Sequence, residues 1–345
     1  MVIKDLLLAG FLVILSTAVN AQDFYSKEGY IPVPYRITIK QLASTDTIST
    51  DVVIISVRKP VYRKGKIADL SDNRIAKSGF MSMVTHLADT SVVLLRTSLD
   101  SALLRLRKDR PTVIFIHGYG RSFDEVIGNA NRLRNRYGVN VVAFDWPSKS
   151  RNFGTALANV RSSTSEFVEF LKQYKQFSGG ELVSTTTLLM HSLGNYYYVR
   201  AIKDNPGTSL FKTDPTFSTI VFNAAAISQN EHALLFDGYL PDGKALVIQN
   251  KNDKVLHGAE LLMWSPMLGR LAKKPLANDV MYIDFTSVAN KNHTLFLGDT
   301  ELEQNNPNFQ KFYKNIFWGK SIHSIPLFQN PVAVPKQMKA ECGNK

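Results

Sequence analysis

A chain of 345 residues with 44% hydrophobic content is too long and too apolar for a disordered segment or a small stapled scaffold, and it can bury one large core or two ordinary ones. Its single cysteine, Cys342, excludes an internal disulfide and any paired-cysteine metal site. The net charge of +12 favours an anionic surface as partner, but the basic residues are scattered and no nucleic-acid-binding motif accompanies them, so nucleic acid is not expected.

The first predicted element is an apolar run over residues 6–18, which follows Lys4 and Asp5 and leads into Val19-Asn20-Ala21. This pattern predicts a secretory signal peptide over residues 1–21, cleaved before Gln22, and export to the periplasm or the medium. The run falls short of the roughly twenty apolar residues a stable membrane span needs, and an uncleaved N-terminal membrane anchor is the alternative.

Residues 22–110 read as an N-terminal extension of mixed strand and helix, with strands at 35–40, 52–59 and 91–96 and a helix over 97–108. From Pro111 the pattern becomes regular. Strands are predicted at 112–116, 140–144, 185–190, 219–223, 245–249 and 280–285, with helices over 123–137, 152–177, 196–203, 257–264 and 308–317. Strands alternating with helices predict an α/β fold over residues 111–320, with a mostly parallel central sheet covered by helices on both faces. Residues 321–345 are polar with scattered Pro and are expected to form a loosely held tail. Only about twenty residues, 224–244, separate two of the strands, which leaves no room there for a helical lid and predicts an open site.

Ligands of open parallel sheets gather at the carboxyl ends of the strands, and several of those ends carry chemistry here. Residues 185–190 run straight into His191-Ser192-Leu193-Gly194-Asn195, a strand, turn and helix order that lifts the Ser192 hydroxyl above the sheet and opens the Leu193 N–H toward an oxyanion. Gly194 fills the second small position of this elbow, whereas Met190 stands where the first is usually small. His117-Gly118-Tyr119-Gly120 follows strand 112–116, and its glycines allow the Tyr119 N–H to approach as a second oxyanion donor. Asp253 follows strand 245–249 and His293 follows the last strand, giving the order Ser, Asp, His. His257 remains an alternative base and Asp145 an alternative acid, while His191 and His117 are expected to support their loops. No His-Glu-x-x-His, phosphate loop or complete Gly-x-Gly-x-x-Gly is present, so neither a metal nor a nucleotide cofactor is implied.

Ile116-His117-Gly118-Tyr119, Phe144-Asp145-Trp146-Pro147-Ser148, Met190–Asn195, Asn252-Asp253 and Asn292-His293 together resemble the α/β-hydrolase superfamily. Within it they are similar to a bacterial branch of esterase-like proteins whose substrates are largely unassigned. The resemblance implies Ser192 as nucleophile, Asp253 as the orienting acid and His293 as base. It also implies hydrolysis of a small-molecule or polymer-borne ester without a cofactor. The reading from another class is an exported binding protein that kept this fold and lost turnover.

Overall fold

The computed structural model describes residues 36–43, 48–77, 79–88, 91–150, 152–181, 185–206, 217–230, 232–240, 245–298, 306–322 and 325. The expected signal peptide and the expected tail beyond residue 325 lie outside these residues.

Twelve strands are described: β1 (Arg36–Gln41), β2 (Val52–Ser56), β3 (Arg58–Arg63), β4 (Lys66–Ile75), β5 (Met81–Ala88), β6 (Ser91–Thr97), β7 (Thr112–Ile116), β8 (Asn140–Asp145), β9 (Thr186–His191), β10 (Thr219–Asn223), β11 (Ala245–Gln249) and β12 (Val280–Asp284). Ten of them form one sheet in the order β1-β6-β5-β2-β8-β7-β9-β10-β11-β12, while β3 and β4 pair as a separate hairpin. Within the large sheet only β5 runs antiparallel to its neighbours; every other pairing is parallel. The mostly parallel sheet expected from the alternating pattern is therefore present. Strands preceding residue 111 complete it, because β2 pairs with β8 from Val52 opposite Val141 to Ser56 opposite Asp145.

Parallel central strands are covered on both faces, so they read as unbroken apolar runs. All residues of β2, β7, β8 and β9 are buried. Successive side chains of one strand enter opposite cores: Ile114 and Ile116 join Leu188, Met190 and Phe144 on one face, whereas Val113 and Phe115 join Val141 and Leu189 on the other.

Helices α1 (Leu99–Leu103), α2 (Phe123–Tyr137), α3 (Phe153–Ser162), α4 (Thr164–Glu181), α5 (Asn195–Asp204), α6 (His232–Tyr239), α7 (Lys254–Met263) and α8 (Asn308–Phe317) supply the outer layers. The first face takes Phe167, Phe170 and Tyr174 from α4 and Tyr197 and Tyr198 from α5. The second takes Leu133 and Tyr137 from α2 and Phe312, Tyr313 and Phe317 from α8. α2 shows why such a segment is helical: Ser122 and Glu125 form a reciprocal capping box at its start, and Gly138 ends it in the left-handed region at φ 66°.

Two helical expectations change. The single helix expected over 152–177 is broken at Ser163, whose φ is −122°; its hydroxyl donates to Asn159 O at 2.7 Å and lies 2.7 Å from the Tyr197 hydroxyl. A polar side chain that bonds its own backbone competes with helical continuation. Residues 224–244, in which no helix was predicted and no helical lid expected, hold the short α6, which packs on the core through Phe236 against Phe222, with ring centroids 4.6 Å apart.

Candidate active site

β9 delivers Ser192 into a one-turn 3-10 helix, Ser192–Gly194, that runs directly into α5. Ser192 has φ +52°, a conformation that costs an L-residue about 1–2 kcal/mol and survives only where the surroundings enforce it. Those surroundings are close. A Cβ on Gly194 would stand 2.6 Å from Ile116 O and 2.7 Å from His117 O, and a Cβ on Gly118 would stand 2.8 Å from the Ser192 Cβ. Glycine is the residue that permits both approaches. Met190 is buried in the core between its strand partners Ile116 and Phe222, so the position that is usually small is filled by a side chain directed into the sheet's packing. Asn195 secures the turn from the far side, its Nδ2 donating to Ser192 O at 2.8 Å and to Asn223 O at 3.3 Å.

The loop after β7 sits against this elbow and is clamped by the turn after β8. Trp146 Nε1 donates to His117 O at 3.0 Å and the Trp146 N–H donates to His117 Nε2 at 3.1 Å, with the two rings stacked. Ser148 accepts from Arg121 N–H at 2.9 Å and returns its hydroxyl proton to Arg121 O at 3.1 Å. Tyr119 is half-buried, its hydroxyl donating to Ser150 O and its ring edge-on to Phe153. Leu193 is buried immediately after the serine.

Asp253 and His293 come from the ends of β11 and β12. The His293 Nδ1 lies 2.5 Å from Asp253 Oδ2, and both side chains are buried. The other carboxylate oxygen, Oδ1, caps α7 by accepting from Leu256 N–H at 3.0 Å, which fixes the carboxylate plane. Asn250 joins the two loops: its Nδ2 donates to Asn290 O and Asn292 O, and its Oδ1 accepts from Asn252 N–H at 3.0 Å. His293 also lies against His191, the residue before the serine. The rings are 4.7 Å apart and His191 Nε2 donates to His293 O at 3.1 Å. Burial, followed by the neighbouring His293, pushes the His191 pKa well below its usual value, so this ring is a neutral donor.

Residues 95–281, more than half of the chain, match the model of a family described as alpha/beta hydrolase of unknown function (DUF900). The chain belongs to this α/β-hydrolase family. The matched region contains Ser192 and Asp253 and ends before His293. No curated protein matches the hydrolase. Among solved structures it is similar to a predicted CIB-like hydrolase from Thermoplasma acidophilum, at 15% identity and TM-score 0.34, covering 68% of this chain and 93% of that one. It is also similar to carboxyl esterase 2 from the mycorrhizal fungus Tuber melanosporum, at 10% identity and TM-score 0.36, covering 87% and 96%.

The alternative acid and base of the hydrolase are placed elsewhere. Asp145 is fully buried, accepts both 2.8 and 2.9 Å bonds from Arg58 Nε and a 2.6 Å bond from the Ser56 hydroxyl, and lies 3.4 Å from His117. Burial raises its pKa, but Arg58, His117 and Ser56 outweigh that and hold it below the usual carboxylate value. His117 itself is lowered, burial prevailing over Asp145. His257 is exposed and faces Glu260 at 3.4 Å and Arg270 at 3.1 Å. Among the described residues no cluster of three or more His, Cys, Asp or Glu is arranged to hold a metal ion.

Sequence reasoning missed Arg58, Ser148, Asn195 and Asn250. The last three follow strand ends within the motifs, a position that was itself the available signal. Arg58 had none, since its partner lies 87 residues away.

Proposed function

We propose that this hydrolase cleaves carboxylic esters through Ser192, His293 and Asp253 by way of an acyl-enzyme. The observation that carries the reading is the buried 2.5 Å contact between His293 Nδ1 and Asp253, with the His293 ring packed against His191, the residue before the elbow serine at φ +52°. With Nδ1 turned to the carboxylate, Nε2 is the nitrogen that takes the Ser192 proton as Oγ attacks the ester carbonyl. The charge developing on the carbonyl oxygen meets the Tyr119 and Leu193 N–H groups, His293 returns the proton to the departing alcohol, and water repeats the sequence to release the acid. The organisation that goes with it is a signal peptide over 1–21, an exported chain starting at Gln22, an N-terminal segment over 22–110 whose strands share the sheet of the catalytic region over 111–320, and a tail over 321–345. Soluble esters with short acyl groups suit a chain in which the helix described between β10 and β11, α6, is packed on the core.

Hydrolysis of acetyl and butyryl esters tests the reading. Turnover should be abolished in Ser192→Ala with the thermal midpoint nearly unchanged, and Asp253→Asn should lose on the order of 10⁴ through the wrong imidazole tautomer. Full turnover in Ser192→Ala refutes the assignment. N-terminal sequencing of the protein recovered outside the cytoplasm tests export; an intact Met1 in the membrane fraction contradicts cleavage.

A further inference from the structure

Groups that react together must be held at a fixed separation, and here they stand on three loops: Ser192 after β9, Asp253 after β11 and His293 after β12. On one side, His191 donates to His293 O. On the other, a chain of hydrogen bonds runs from the elbow to the His293 loop. It starts at Ser192 O, which accepts from Ala226 N–H at 3.2 Å. Residues 225–229 are zipped to residues 266–269, the segment beyond α7. Ala225 O accepts from Gly269 N–H, Ile227 O accepts from Leu268 N–H, and Gln229 N–H donates to Pro266 O, each at 2.9 Å. Gly269 O then accepts from Asn250 N–H at 2.9 Å. Gly269 is the tight point of this chain. A Cβ there would stand 2.1 Å from Ala225 N and 2.4 Å from Ala224 C, and backbone atoms cannot swing aside.

Asn250 is the junction. Its carbonyl accepts from Asp253 N–H at 3.1 Å and its Oδ1 from Asn252 N–H at 3.0 Å, which holds the turn of the acid. Its Nδ2 gives both protons to the loop of the base, at 3.1 Å to Asn290 O and 3.0 Å to Asn292 O, the residue before His293. Reversing the amide would set Oδ1 against two carbonyls, so the network admits one orientation and no carboxylate of the same shape. The side chain is buried, where such bonds are costly to leave unmade. Two further ties between these loops are exposed and end on Thr286, at the near end of the His293 loop: Lys251 N–H to its Oγ1 at 2.9 Å and Asn252 Nδ2 to its carbonyl at 3.2 Å.

We propose that Asn250 is a positioning residue: with Gly269 as its link to the elbow, it sets the Asp253–His293 pair at its working distance from Ser192. This rests on the reading of His293 as base and gives Asn250 no contact with substrate or reacting atoms.

The test uses the full chain and reads the two ends of the hydrogen-bond chain separately. Proton NMR reads His293 Nδ1, because a proton held in a short charge-assisted contact resonates far downfield and exchanges slowly. Labelling by a fluorophosphonate reads the elbow together with its base. In Asn250→Ala the downfield resonance should broaden into exchange. For acetyl ester hydrolysis its kcat should fall about 10²-fold with KM little changed, the cost of about 1 Å of displacement. Asn250→Asp, nearly equal in size, keeps the acceptor for Asn252 N–H and loses the two donors; it should show the same two effects and carries the test if Asn250→Ala does not fold. Gly269→Ala should keep the resonance, since the Asp253–His293 contact stays, while labelling slows about 10²-fold. Thr286→Val cuts an exposed tie between the same loops, so it should lower the thermal midpoint and leave resonance and rate unchanged. Parental resonance and kcat in both Asn250 variants overturn the proposal even where the thermal midpoint falls, because a merely structural residue gives that result. Parental labelling of Gly269→Ala overturns the link to the elbow. Full turnover in Ser192→Ala refutes the ester reading instead, and the resonance comparison then still decides whether Asn250 holds the pair.

Discussion

Ser192 and its glycine neighbours set the tolerance of the site. Because a Cβ on Gly118 would stand 2.8 Å from the Ser192 Cβ, Gly118→Ala must move either the elbow or the loop that carries Tyr119. A displacement of about 1 Å costs on the order of 10² in rate, so kcat for ester hydrolysis should fall by about that factor while circular dichroism stays unchanged. An unimpaired Gly118→Ala enzyme would show that the loop does not serve the serine. His191 gives a pH prediction. Its folded pKa lies well below the ordinary 6.5, so on acidification the unfolded chain binds a proton here before the folded protein does. Stability from this site is complete above about pH 6.5 and is lost as the pH falls toward the depressed folded value. In His191→Gln, urea unfolding between about pH 6.5 and 5 should depend less steeply on pH than in the parent; equal slopes would contradict a buried neutral ring.

At the scale of elements, legibility followed burial. The strands that carry the elbow and its flanking loops were readable because both of their faces are covered and their centres are unbroken apolar runs, as in Val-Ile-Phe-Ile of β7. α2 and α8 were readable from their apolar spacing, which matches the buried positions. The β3–β4 hairpin was not, because it is largely exposed and charged and turns at Lys64-Gly65, both in the left-handed region. With the hairpin unseen, Arg58 could not be matched to Asp145, and Asp145 stayed a rival acid. The structure instead makes the two a buried ion pair that ties the hairpin to the end of β8. Removing one member strands a charge, so Arg58→Met should lower the unfolding free energy by about 3–5 kcal/mol in urea titrations. A loss below about 1 kcal/mol would mean that Asp145 escapes the burden, by protonation or by water.

The whole molecule depends on chain that the family match does not cover. The match starts at residue 95, but β2 lies between β5 and β8 with every residue buried. A chain beginning at residue 95 would expose the edge of β8 and the apolar faces beneath it, so it should aggregate or digest rapidly under limited proteolysis where the full chain resists. A soluble, protease-resistant fragment would show that the N-terminal strands are dispensable. The placement of Ser192, Asp253 and His293 after strand ends was legible from the alternating pattern; the contacts around them, from Asn195 and Asn250, needed three dimensions. The central claim is that Ser192 is an activated nucleophile, and a fluorophosphonate probe followed by peptide mass spectrometry tests it most directly. One adduct is expected, on Ser192, absent from Ser192→Ala and suppressed in His293→Ala; an unlabelled protein, or an adduct on another residue, would contradict an activated Ser192.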